Sequence, residues 1–145
     1  MREQEIKELF AELTSSNFRI TSDPTEEYNC IAWAADDTDA YWWPDPQFVA
    51  YWPSNVARVE TIDAFIEVFK LFGYTICTND MHEKDFEKIA IYVNSEGKPT
   101  HAARQLDSGN WTSKLGNLED IEHTSLDDII CSEYGSSSVF MKRPK

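Results

Sequence analysis

Two residues of the 145-residue chain have the chemistry of a nucleophile and its base. Cys30 stands in Tyr28-Asn29-Cys30-Ile31-Ala32-Trp33-Ala34, and His101 in Pro99-Thr100-His101-Ala102-Ala103-Arg104-Gln105. A thiol attacks as its thiolate, which the partial positive charge and free N–H groups of a helix N-terminus favour; the same N–H groups can hold an oxyanion. An imidazole on a neighbouring strand takes the thiol proton and returns it to a leaving group, while a third polar group fixes which ring nitrogen faces the sulfur. Cys30, His101 and a polar residue of Trp111-Thr112-Ser113-Lys114 form the candidate catalytic set. The Cys30 N–H, with the Asn29 side chain, is the candidate oxyanion site.

These roles require a helix that begins at Cys30 and strands that carry the other two groups. Residues 29–36 read as a short buried helix with Asn29 near its N-cap. From residue 74 the apolar period becomes two, and Tyr74–Thr78, Phe86–Asn94, Thr100–Leu106 and Trp111–Lys114 read as strands. The turns Ser95-Glu96-Gly97-Lys98-Pro99 and Asp107-Ser108-Gly109-Asn110 join the last three as an antiparallel meander. Hairpin register decides the third residue of the site, because side chains alternate faces. A two-residue loop, Ser108-Gly109, puts Thr112 and Lys114 on the His101 face; a three-residue loop, Ser108 to Asn110, puts Trp111 and Ser113 there.

The remaining segments complete an α+β domain of N-terminal helices packed on an antiparallel meander. Ile6, Leu9, Phe10 and Leu13 space a helix over residues 3–14, and Thr61 to Phe72 carries an N-cap, an apolar stripe and Gly73 at the C′ position. Residues 117–130 read as one or two short helices and Ser138–Met141 as a closing strand. Residues 41–53 hold six aromatics and three prolines. Helix is excluded there, leaving an ordered aromatic loop that either walls a binding groove or covers the core. Trp42, Trp43 and Trp52 of this loop join Asn29 and Gln105 as candidate substrate-binding residues.

The order Cys-helix, then strands, then His-strand and polar strand resembles the papain-like thiol hydrolases, the NlpC/P60-type cell-wall amidases among them. The blocks Tyr28–Ala34, Pro99–Gln105 and Trp111–Gly116 also resemble a family of uncharacterised bacterial domains, over about residues 24–142. The first resemblance implies a papain-like arrangement acting on an amide, peptide or thioester bond, with Cys30 as nucleophile and His101 as base. Ser113 corresponds best to its third residue, where those enzymes carry Asn, His or Gln. The second resemblance implies no established activity.

Composition bounds these readings. The 145 residues, 41% hydrophobic and 27% charged, suit one globular domain with a core large enough to need neither metal nor disulfide. The three cysteines are widely spaced without a C-x-x-C pair, so no disulfide framework or zinc site is expected. Glu119 and His123 would share a helix face, but two ligands make a surface pair rather than a metal site. No cofactor is expected. The charged start and the lack of an 18-residue apolar run point to a cytoplasmic protein without membrane contact.

The formal net charge of −13 opposes nucleic acid. Between Arg19 and Arg58 the chain has no basic residue but seven carboxylates, Asp23, Glu26, Glu27, Asp36, Asp37, Asp39 and Asp45. Their field disfavours a thiolate at Cys30 and favours a cationic partner. The partner is thus either a small-molecule or peptide substrate of the Cys–His pair, or a basic protein. In the second case the chain is a non-catalytic acidic binding protein of immunity or inhibitor type, and Cys30 and His101 are core residues.

Overall fold

A computed structural model describes residues 2–145, and its centre is one seven-stranded sheet. The strands are β1 (Phe18–Ile20), β2 (Thr75–Cys77), β3 (Phe86–Val93), β4 (Pro99–Gln105), β5 (Trp111–Lys114), β6 (Asp120–His123) and β7 (Ser136–Pro144). They lie in the order β1-β6-β5-β4-β3-β7-β2, every neighbouring pair antiparallel. The class is α+β, with most of the regular structure in strands.

The meander expected over residues 86–114 forms β3, β4 and β5 and continues one strand further. The expectation of helix at 117–130 is overturned in its first half. Gly116, with φ of 60°, turns the chain at Leu115–Leu118, and Asp120–His123 then pairs with both β5 and β1. The segment is acidic, and strand geometry comes from these two neighbours, with Ile121 placed in the core. Only Leu126–Ile129 is helical, as a single 3-10 turn. The closing strand also differs: β7 runs from Ser136 and inserts between β3 and β2.

The sheet is covered on both faces. Helix α1 (Arg2–Leu9) lies on one of them, where Ile6, Phe10 and Leu13 pack with Tyr92, Ala103, Trp111 and Ile121. It ends five residues earlier than its apolar spacing predicts; Phe10 and Leu13 still reach the core, while Leu9 is exposed. Helices α2 (Cys30–Ala34) and α3 (Ile62–Lys70) lie on the other face with Ile89, Ile91, Ala102 and Met141. Both begin as the sequence dictates. Asn29 Oδ1 accepts from Ala32 N, and Thr61 Oγ1 accepts from Ala64 N, so each cap satisfies an otherwise free amide.

The aromatic segment fills the space beside α2 and α3 without regular structure. A single parallel bridge joins Trp42 to Tyr51. The loop therefore splits between the two expectations: Trp42 and Trp52 are core residues, whereas Tyr41, Phe48, Val49 and Tyr51 are exposed. Among the described residues no helix is long and apolar enough to cross a membrane.

Candidate functional site

A pocket of about 410 Å³ opens between the start of α2 and the aromatic segment, lined by Asn29, Cys30, Tyr41, Trp43, Asp45, Val49, Ala50, Thr100, Gly116 and Tyr134. Its size is that of a small-molecule or side-chain site. Cys30 sits on its wall at the N-terminus of α2, as expected, and is 6% exposed.

The local backbone explains the sulfur's position. Strands β4 and β5 pair only at Arg104 with Thr112 and Gln105 with Trp111. Toward the start of β4, the Cys30 thiol donates to Thr100 O at 3.9 Å and is approached by the Ala102 N–H. The thiol thus bonds to β4 backbone where β5 makes no pairs. Burial pushes it up to about 11, against the pull of the Ala102, Ile31 and Cys30 amides and of the Lys114 charge. At neutral pH it is a thiol.

His101 is on the opposite face of β4. Ala102 belongs to the core beneath α2, and the neighbouring His101 turns the other way, with Tyr92 edge-on at 5.2 Å and Tyr134 stacked at 4.3 Å. It is wholly buried, and neither ring nitrogen has a hydrogen-bond partner, so Cys30 is beyond bonding reach of the ring. Burial, with the charge of His123 adding to it, pushes the imidazole down to about 3.

The loop has three residues but is Asp107 to Gly109 rather than Ser108 to Asn110; because Leu106 bonds Asn110 and Gln105 pairs with Trp111, it places Trp111 and Ser113 on the His101 face all the same. Ser113 nevertheless serves a different imidazole. Its hydroxyl lies 2.8 Å from His123 Nε2, and His123 Nδ1 lies 2.8 Å from Ser125 O. Since a carbonyl only accepts, Nδ1 carries the proton and Ser113 donates to Nε2. The structure therefore does not bring Cys30, His101 and Ser113 together. The alternatives for the third place face α2: Thr112 accepts from Trp33 Nε1, and Lys114 is bonded to three backbone carbonyls.

Of the five candidate substrate-binding residues, Asn29 and Trp43 line the pocket. Asn29 is also committed to structure, its amide donating to Trp42 O and accepting from Trp42 N and Ala32 N. Trp42 donates to Asp37 and Trp52 to Ala57 O, both from within the core. Gln105, at the far end of β4, donates to Asp80 O and Gly109 O. Glu119 binds Arg2, and His123 is held by two serines; among the described residues no three His, Cys, Asp or Glu side chains converge as a metal site.

A family model described as Domain of unknown function (DUF7689) matches residues 19–142. The chain belongs to the DUF7689 family. No curated protein and no solved structure matches it. The DUF7689 match runs from β1 into β7 and takes in the pocket, His101 and Ser113, leaving α1 outside. Within this domain the pocket takes Tyr41, Asp45, Val49 and Ala50 from the loop offered as a groove wall, and the lining residues that sequence reading missed are Thr100, Gly116 and Tyr134. Tyr134 had no local signal, since only the return of the chain into β7 sets it over His101 and beside Cys30.

The buried imidazole gives a pH prediction. In the unfolded chain His101 titrates near 6.5, and in the folded chain near 3, so between those values the unfolded state binds a proton that the folded state does not. Stability is fully present above about 6.5 and falls as the pH drops toward 3, with a slope of about 1.4 kcal/mol per pH unit for one such group. His101→Phe is expected to remove this component and to leave the domain at least as stable at pH 7, because both unpartnered nitrogens disappear. Urea titrations of both proteins from pH 7 to 4 check it; parallel curves would contradict the assignment.

Proposed function

We propose that this domain is a non-catalytic acidic binding protein of immunity or inhibitor type whose partner is a basic protein. The observation that carries the reading is the separation of Cys30 from His101. The thiol bonds to the backbone of β4, and the imidazole is sealed on the far face without a single partner. A hydrolase needs a base within reach of the nucleophile, and burial here favours the uncharged form of both groups. The papain-like arrangement and the thiol-hydrolase activity lose their main support with that separation.

Charge supports binding. The segment that walls the pocket belongs to the stretch between Arg19 and Arg58, which is without basic residues; Asp23, Glu26, Glu27, Asp36 and Asp39 in it are exposed. Such an excess of negative charge speeds encounter with a cationic surface and does so less at high salt.

The test has two arms. Cys30 is expected to react with iodoacetamide more slowly than a free thiol at pH 7–8, with no change on His101→Ala. Capture of basic proteins by immobilised domain is expected at low salt, to weaken at high salt, and to survive Cys30→Ala. Fast alkylation near neutral pH that depends on His101 would restore the hydrolase reading and overturn this one, as would a salt-sensitive partner lost on Cys30→Ala.

A further inference from the structure

The loop Asp45–Ala50 combines exposure, rigidity and an unfavourable backbone. Phe48 has a φ of 58°, a left-handed conformation that bulky residues rarely adopt. It is 75% exposed and Val49 87% exposed, so neither side chain gains much from burial within the chain. The loop is nevertheless held firmly. The Asp45 carboxylate accepts from Val49 N at 2.8 Å, from Ala50 N at 2.9 Å and from Arg58 Nη2 at 3.0 Å. Arg58 also donates to Asp45 O and Ala50 O, and its guanidinium lies 4.4 Å from the Phe48 ring centroid. The two loop amides and Arg58 together hold the Asp45 carboxyl below its ordinary range, so the clamp is closed at neutral pH.

A strained residue persists only where its surroundings over-determine it, and such strain concentrates at binding and functional sites. Here the clamp fixes an apolar tip toward solvent, in the stretch of seven carboxylates with no Lys, Arg or His between Arg19 and Arg58. Rigid presentation lowers the ordering cost of association, and a large aromatic is the usual anchor of an interface. We infer that Phe48 and Val49 form the anchor of the interface and insert into an apolar cleft of the basic partner, which the net charge of −13 draws in at long range. Two molecules of this chain would bring charges of −13 together, which opposes self-pairing through the tip. This inference rests on the binding reading above and names the surface that performs it.

A peptide of alternating lysine and leucine, with polylysine as the charge-only control, supplies the probe. Trp43 borders the loop and reports binding by fluorescence. The domain is expected to bind the mixed peptide at low salt at least tenfold more tightly than polylysine. Phe48→Asp is expected to erase that difference, and Phe48→Gly to do the same while keeping a thermal midpoint no lower than wild type, since glycine accepts the positive φ. Salt-sensitive binding unaffected by both variants would overturn the tip assignment and leave the binding reading standing. Absence of binding to either cationic probe would overturn both. Phe48-dependent dimerisation in sedimentation, or Phe48-dependent binding to phosphatidylcholine vesicles, would assign the tip to a second copy or to a lipid surface and overturn the inference.

Discussion

Replacing Gly135 by alanine is expected to destabilise the domain by about 3–5 kcal/mol, the sum of an overpacking cost and a left-handed backbone carrying a Cβ. Gly135 has a φ of 69° and closes the Cys131–Gly135 turn, its N–H donating to Cys131 O at 2.8 Å. An added Cβ would overlap the Val93 carbonyl oxygen and lie 2.7 Å from Val93 C and 2.8 Å from Asn94 Cα. All of these are backbone atoms, so no side chain can swing aside. Relief requires β7 to move off the end of β3, which disturbs the longest pairing in the sheet and the Tyr134 ring one residue before the glycine. Urea unfolding measures the loss. Gly97→Ala is the matched control: the same sign of φ, 78°, but nothing within 4 Å of the new methyl, so only the conformational part of the cost is expected. Equal losses at the two positions would show that the packing against Val93 carries no energy.

Lys114→Met is expected to cost a similar amount, about 3–5 kcal/mol, through loss of a buried charge rather than loss of space. Lys114 is wholly buried, and its ammonium donates to Thr25 O at 2.8 Å, Gly116 O at 2.7 Å and Leu118 O at 2.6 Å. These three bonds use its three donors and tie the segment before α2 to the turn before β6. Methionine preserves most of the stem volume and leaves three carbonyls without a donor. It also removes a positive charge whose field acts on Asp120, the cross-strand neighbour, without a direct bond between them; Asp120 Oδ2 still accepts from Tyr28 at 2.6 Å, while Oδ1 has no partner. Unfolding by urea, repeated for Lys114→Met combined with Asp120→Asn, checks the account. The second substitution is expected to recover part of the loss, and strict additivity would mean that the two groups do not share one electrostatic site.

Both positions stood in the sequence without announcing these roles. Lys114 entered only as one of three candidates to orient His101, and its face was undecided until hairpin register was known. Gly135 showed nothing, because its constraint comes from Val93, forty-two residues away.

What the sequence determined by itself was local. Asn29 and Thr61 have the side chains that cap helices, so α2 and α3 start where those residues stand. The period-two runs and their Gly-containing turns dictated β3, β4 and β5, since both signals lie within a few residues. The prolines of 41–53 excluded helix by removing donors. Tertiary structure decided the rest. Segment 120–123 became a strand because β1 and β5 offered pairing on both edges, β7 entered the middle of the sheet, and Tyr134 came to lie over His101. The decisive case is Cys30 and His101, both correctly placed at the start of a helix and on a strand. Alternation along β4 turns the imidazole to the face away from α2, and only long-range pairing reveals which face that is, because a side chain's neighbours across a sheet are set by partners far away in the chain.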